Sequence, residues 1–206
     1  MPTRTSPTPT HTPIPAVSDA AAAAGLVDVR TAVPDAILDL RYATTNNFTK
    51  VRLYPRDARC LVHEDLVTGL RHAASVLRKK GYRLVFWDCY RPREVQEHMF
   101  EVVPDPAWVA RPGPYARSHT AARSVDVTIA HRDGEYLDMG TDFDSFTPQA
   151  TAYATDGVTA RQRANRKILR EAMQSDPTLT IYDGEWWHFD GPGAAVDRPH
   201  LDVPVD

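Results

Sequence analysis

Six consecutive residues constrain this chain more than any others. Ser124-Val125-Asp126-Val127-Thr128-Ile129 alternates polar and apolar side chains with period two. That alternation is the pattern of a strand with one face on a core. It places Asp126 on the polar face, and His119 lies on the loop that feeds the strand. Near the C-terminus, Glu185-Trp186-Trp187-His188-Phe189 reads as the last strand and brings a second histidine and another carboxylate. Two histidines and one aspartate suffice to hold a catalytic zinc with one position open, which leaves Glu185 free as a base. On spacing alone, a structural ion-pair cluster stands as an equal alternative. Glu185 and His188 would also point to opposite faces of an ideal strand. They share a site only if a bulge intervenes or if Glu185 lies in the turn after Gly184.

At 206 residues the chain has the length of one domain with a sizeable core. Residues 1–25, rich in Pro, Thr and Ala, read as a disordered extension, which leaves 26–206 as the folded domain. A net charge of -3 argues against non-specific nucleic-acid binding. No apolar run approaches the roughly 20 residues needed to span a bilayer. No basic start is followed by the apolar block of an export signal, so cytoplasm is the expected location. Cys60 and Cys89 are the two cysteines. They form no Cys-x-x-Cys pair, so a thiolate zinc site and a disulfide framework are both disfavoured, and a single bridge stays open.

The remaining pattern predicts a strand over Asp35–Tyr42 and a helix over Glu64–Lys80, its apolar stripe formed by Leu66, Leu70, Ala73, Ala74 and Leu77 and its stop by Gly81. Tyr82–Tyr90 reads as a central strand. Pro92 opens the next helix, to about Val103, so Arg91 sits at a strand-to-helix junction. Pro104–Arg117 is irregular. Thr159 caps a helix to about Gln174, with Ala164, Ile168, Ala172 and Met173 inward, and Thr178–Tyr182 is a short strand. Without a regular βαβ alternation, the expected class is α+β: a central, mainly antiparallel sheet with flanking helices and the metal site on the sheet face.

Six motifs in order carry a family resemblance. They are Asp39-Leu40-Arg41-Tyr42-Ala43-Thr44 with Asn47-Phe48-Thr49; Asp88-Cys89-Tyr90-Arg91-Pro92; His119 with Asp126; Asp138-Met139-Gly140-Thr141 with Phe143-Asp144; Glu185-Trp186-Trp187-His188-Phe189; and Asp202-Val203-Pro204-Val205. From about Asp35 to Val205 the chain resembles the bacterial D-alanyl-D-alanine dipeptidases of the vancomycin-resistance type. These share a superfamily with other zinc D-Ala-D-Ala peptidases and the hedgehog N-terminal domain. The resemblance implies one Zn2+ per chain on His119, Asp126 and His188, Glu185 as the base, and Arg91 as the transition-state arginine. It implies further that Asp144 and Tyr42 hold the free amino group of a small D-Ala-D-Ala-type dipeptide, while the charge and the lack of a long apolar run argue against a nucleic-acid or membrane partner.

The chain departs from the family around the first histidine, with Arg117 where Ser is usual, Ala121 where a polar residue is common, and Ala122 where Gly is usual. An Ala in place of a Gly implies a different loop path. An altered pocket leaves room for a related metallo-carboxypeptidase or amidase acting on another small substrate. The same three ligands also suit a non-haem iron oxygenase, although those typically pair His-x-Asp tightly. A binding module that keeps only the metal is disfavoured by the presence of both Glu185 and Arg91.

Overall fold

The structure, a computed structural model, describes residues 13–205. The first twelve residues of the expected extension lie outside the described residues. The remainder of that extension is ordered into the fold. Helix α1 spans Asp19–Ala23, Ser18 caps it by accepting a bond from the Ala21 amide, and Ala21 is fully buried. Arg59 reaches back to the carbonyls of Pro15 and Ala16. The extension was expected to be disordered because its composition is polar and Pro-rich; burial of one small apolar face and this arginine hold its last part in place.

Strand β1 (Leu26–Asp28) pairs antiparallel with β3 (Leu61–His63) in a small separate sheet. The main sheet has β2 (Ile37–Leu38), β4 (Tyr82–Asp88), β5 (Ser124–His131), β7 (His188–Asp190) and β6 (Thr180–Ile181), in the order β2-β4-β5-β7-β6. Only the β2–β4 pair is parallel, so the sheet is mixed and mainly antiparallel, in an α+β fold. The segment expected as one long strand over Asp35–Tyr42 pairs only at Ile37 and Leu38. It then winds into a 3-10 turn at Arg41–Ala43, and this turn drives the Tyr42 ring into the core.

Helix α3 (Arg93–Val102) follows β4, and helix α2 (Val67–Lys79) packs on β4 and on α4 (Ala160–Met173) with Leu70, Ala73, Ala74 and Leu77 buried. Gly69 makes a close crossing possible, since a Cβ there would lie 2.7 Å from the Leu179 side chain. Thr159 and Gln162 form a reciprocal capping box at the start of α4. The buried stripe of α4 is Arg166, Leu169, Ala172 and Met173, while Ala164 is exposed and Ile168 only half-buried. The stripe is rotated from the expected one because the Arg166 guanidinium is drawn inward by the carbonyls of Met139, Gln149 and Thr151. A sequence pattern scored on apolar residues alone misses an arginine recruited in this way.

Strand β5 is buried on both faces from Ser124 to Ala130. Val125, Val127 and Ile129 occupy one face, and Asp126 and Thr128 the other, which loops cover rather than solvent. Opposite β5, strand β4 carries a bulge. Phe86 pairs with Val127 and Asp88 with Asp126, so Trp87 is an extra residue. The bulge sets the end of β4 beside Asp126, where the next residues begin the site. Cys60 and Cys89, both buried, are joined in a disulfide with their Cα atoms 5.2 Å apart. None of the helices among the described residues is long and apolar enough to cross a membrane.

Candidate active site

Asp126 stands near the start of β5, paired in register with His188 at the start of β7. Two adjacent antiparallel strands thus deliver a carboxylate and an imidazole side by side. His119 comes from the 3-10 turn Ser118–Ala121 that precedes β5. Its ring is aimed by a bond at Nδ1 to the Cys89 carbonyl, 2.8 Å away. This turn ends at Ala122 with φ 56° and ψ 28°, a left-handed conformation. The turn takes the left-handed conformation that favours glycine even with Ala at that position.

The facing atoms of the three residues converge. His119 Nε2 lies 3.2 Å from Asp126 Oδ1, His188 Nδ1 lies 3.0 Å from the same oxygen, and the two ring nitrogens are 3.1 Å apart. Donor atoms on one tetrahedral metal, with bonds of about 2.0–2.1 Å, sit about 3.3–3.4 Å apart. The second nitrogen of each ring is held from behind, His119 Nδ1 by Cys89 and His188 Nε2 by Asp190 Oδ1 at 3.1 Å. Such outer bonds point a histidine's other nitrogen at a metal. The three residues are buried. Burial works against charge on both Asp126 and His188, yet their mutual attraction prevails. The carboxyl of Asp126 is held well below the usual range by His119 and His188, and His188 is pushed up to about 10 by Asp126 and Asp190. Two imidazole nitrogens and one carboxylate oxygen converging at this spacing fit a divalent zinc.

Glu185 lies outside β7, between two turns, with its amide bonded to the Tyr182 carbonyl. That turn resolves the strand geometry, since Glu185 Oε2 reaches to 3.8 Å from His188 Nδ1. Trp186 and Trp187 pin the turn. Both are fully buried, the Trp186 indole donates to Thr141 Oγ1, and the Trp187 carbonyl accepts from the Val127 amide. Burial and the charge of Asp126 push the Glu185 carboxyl up to about 7, against the pull of His188.

Arg91 leaves the end of β4 and is anchored rather than free. Its Nε and Nη2 both donate to Asp88 Oδ2, at 2.9 and 2.7 Å, and Nη1 donates to Gln96 Oε1 at 2.7 Å. Of its five N–H groups, two are left for another acceptor. Nη2 stands 3.8 Å from Asp126 Oδ2, so these donors border the His-Asp-His cluster. Asp88 also accepts from the Tyr54 hydroxyl. Across the cavity, the Tyr42 hydroxyl donates to Asp144 Oδ2 at 2.7 Å. Asp144 adopts φ 54°, which turns its carboxylate into the cavity. Burial pushes its carboxyl well above the usual range, reinforced by Asp126 and Glu185 and only partly offset by the Tyr42 bond and Arg91.

One cavity of about 370 Å³ joins these groups: Tyr42, Arg91, Asp144, Glu185 and His188 line it together with Phe48, Met99, Trp108 and Phe146. Its size is that of a small-molecule site. Arg117 lies at the rim, paired with Asp197 on the surface. Asp88, Gln96 and Asp190 were not singled out in the sequence as site residues. Asp88 sits inside a quoted motif, and Asp190 lies two residues beyond His188 on the same strand face. For Gln96 the sequence holds no signal.

A family model described as D-Ala-D-Ala dipeptidase matches residues 22–206. A D-alanyl-D-alanine dipeptidase of Escherichia coli is 35% identical over 170 residues, covering 82% of this chain and 86% of that protein. Proteins of the same name from Enterococcus faecalis and Streptomyces coelicolor are 28% and 29% identical, covering 80% and 82% of this chain and 88% and 90% of their own lengths. With a converged His-Asp-His cluster, a neighbouring glutamate and near-complete coverage by that model, this chain belongs to the D-Ala-D-Ala dipeptidase family of metallopeptidases.

Proposed function

We propose that the protein is a zinc dipeptidase that hydrolyses small dipeptides of D-Ala-D-Ala type with a free amino terminus. The observation that carries this reading is the Asp144–Tyr42 pair, placed in the same cavity as Glu185, Arg91 and His188. A carboxylate raised this far by burial gains most from a cationic partner, and a dipeptide's ammonium is one. His119 Nε2, His188 Nδ1 and Asp126 Oδ1 would hold the zinc. When bound there, it would supply Lewis-acid polarisation of the scissile carbonyl and acidification of water toward neutrality.

The chain's own groups then divide the work. Asp144 and Tyr42 fix the amino end of the substrate. Glu185, with a carboxyl poised near neutral pH, takes a proton from the attacking water and returns it to the leaving amine. Arg91, locked by Asp88 and Gln96, offers its two remaining N–H groups to the developing oxyanion without reorganising. The aromatic wall of Phe48, Trp108 and Phe146 limits length and keeps bulk water away.

The compartment we infer is an oxidising one. The cytoplasmic location expected from the sequence is not what the Cys60–Cys89 bond favours, because disulfides are rare in reducing cytosol. The test of function is release of D-Ala from D-Ala-D-Ala by zinc-loaded protein, run beside the N-acetylated dipeptide. Cleavage of the free dipeptide alone supports the reading. Equal rates on both would mean that Asp144 does not hold an ammonium and would favour a carboxypeptidase or amidase.

A further inference from the structure

The disulfide ties the small β1–β3 sheet to the segment that aims the site. Cys60 immediately precedes β3, and its carbonyl accepts from the Val29 amide. Cys89 immediately follows β4, one residue beyond the last rung of the β4–β5 ladder at Asp88. No strand pairing therefore holds Cys89 among the described residues. Its neighbourhood is held by the bond to Cys60, by the Tyr90 amide on the Leu61 carbonyl, and by the bonds that Asp88 and Arg91 make on either side.

This segment grips His119 twice. The Cys89 carbonyl receives His119 Nδ1 at 2.8 Å, and the Arg91 amide donates to the His119 carbonyl at 3.0 Å. Donation from Nδ1 to a carbonyl leaves the Nε2 lone pair directed at Asp126 and His188. The atom that fixes this tautomer and ring angle belongs to a residue whose side chain is covalently tethered. Displacement of Cys89 would turn His119 and, two residues on, shift the Arg91 guanidinium.

We propose that Cys89 is a positioning residue for the metal centre, and that its bond to Cys60 makes catalytic competence depend on oxidation. The proposal rests on the metal-site reading above. The enzyme is then at full strength in an oxidising compartment and weakened where thiols are kept reduced.

The test uses the full zinc-loaded chain, oxidised or treated with a water-soluble trialkylphosphine, since a dithiol would itself chelate zinc. The phosphine is oxidised to its oxide with oxygen from one water. The disulfide takes the two electrons, and the two protons of that water end on the sulfurs, giving two thiols. Alkylation under denaturing conditions counts them. Zinc affinity is read by competition with a chromogenic chelator, kcat and KM on D-Ala-D-Ala, and folding by circular dichroism.

Reduction should weaken zinc binding about 10–100-fold, the usual effect of disturbing a histidine's outer bond. It should lower kcat about tenfold or more with KM shifting far less, and reoxidation should restore both. If the two thiols unfold the chain, Cys60→Val with Cys89→Ala replaces it, apolar at both buried positions but untied, and the same losses are expected. Zinc affinity and kcat within twofold of the oxidised protein, with only a lower Tm, would overturn the proposal and leave the bond a stabilising link alone. The zinc arm needs no substrate, so it decides the matter even if the dipeptide is the wrong one. An oxidised chain that binds no zinc overturns this inference and the metal-site reading together.

Discussion

Replacing Arg91 by Ala should damage stability and chemistry by separable amounts. Asp88 is fully buried, and Arg91 gives it two of its bonds, with the Tyr54 hydroxyl as the other side-chain donor. Arg91→Ala strands that carboxylate and also orphans Gln96 Oε1. Breaking a buried ion pair from one side costs about 3–5 kcal/mol. For a domain of this size each kcal/mol moves Tm by about 2–4 °C, so the fall should be roughly 6–20 °C. Turnover per folded molecule should drop on the order of 10²–10³-fold, the range for losing an oxyanion donor. The double variant Asp88→Asn/Arg91→Ala separates the two effects. An Asn at position 88 still accepts from Tyr54 but carries no charge, so most of the lost Tm should return while turnover stays low. Thermal unfolding by circular dichroism and steady-state kinetics on all four corners of the cycle measure both terms. A Tm for Arg91→Ala within about 2 °C of wild type would refute the ion-pair argument, and recovery of turnover in the double variant would refute the role given to Arg91.

Asp144→Asn should raise KM for D-Ala-D-Ala sharply while leaving kcat less affected. It should also raise Tm at neutral pH. A carboxyl whose folded pKa lies above its unfolded value contributes stability below the unfolded value and loses it as pH rises through the folded one, so removing the charge relieves a cost. By the same shift, Asp144 should add its own fall in kcat/KM at low pH to the one Glu185 sets near 7; Asp144→Asn should lose the first and keep the second, and an acid side identical in shape to wild type would exclude Asp144 as a contributor. Glu185→Gln should keep stoichiometric zinc by elemental analysis and lower kcat about 10²-fold or more, whereas loss of the metal would make Glu185 a ligand. His119→Ala and His188→Ala should each abolish stoichiometric zinc, and full occupancy in either would remove that residue from the ligand set. Asp190→Asn should weaken zinc about 10–100-fold through His188 Nε2, read by chelator competition.

Much of this fold was legible because its signals are local. The period-two run at Ser124–Ile129, the apolar stripe of α2 and the Thr159 cap each depend on neighbours within one or two turns of chain. Strand β5 and its side-chain alternation, and therefore the face that carries Asp126, follow from that pattern. So does the junction that places Arg91 at the end of β4. The motif order added which residue types belong to one site, since chemistry-bearing positions keep their order along the chain even where spacing alone leaves an ion-pair cluster equally open.

The rest required three-dimensional neighbours. Sequence periodicity could not show that the polar face of β5 is covered, because its covering comes from loops distant in the chain. Whether Glu185 could face His188 was undecidable on an ideal strand; burial of Trp186 and Trp187 settled it by forcing a turn before β7. The stripe on α4 rotated because Arg166 found three carbonyls from elsewhere. Ala122 holds a left-handed turn that its residue type disfavours, since bonds from its own amide to the Ser118 and His119 carbonyls and from the His63 amide to its carbonyl fix it from both sides. Cys60 and Cys89 lie 29 residues apart with β3, α2 and β4 between them, and nothing local pairs them. Only the tertiary fold, which sets the chain just past β4 against the start of β3 through the Tyr90 amide and Leu61 carbonyl, brings the two sulfurs within bonding distance.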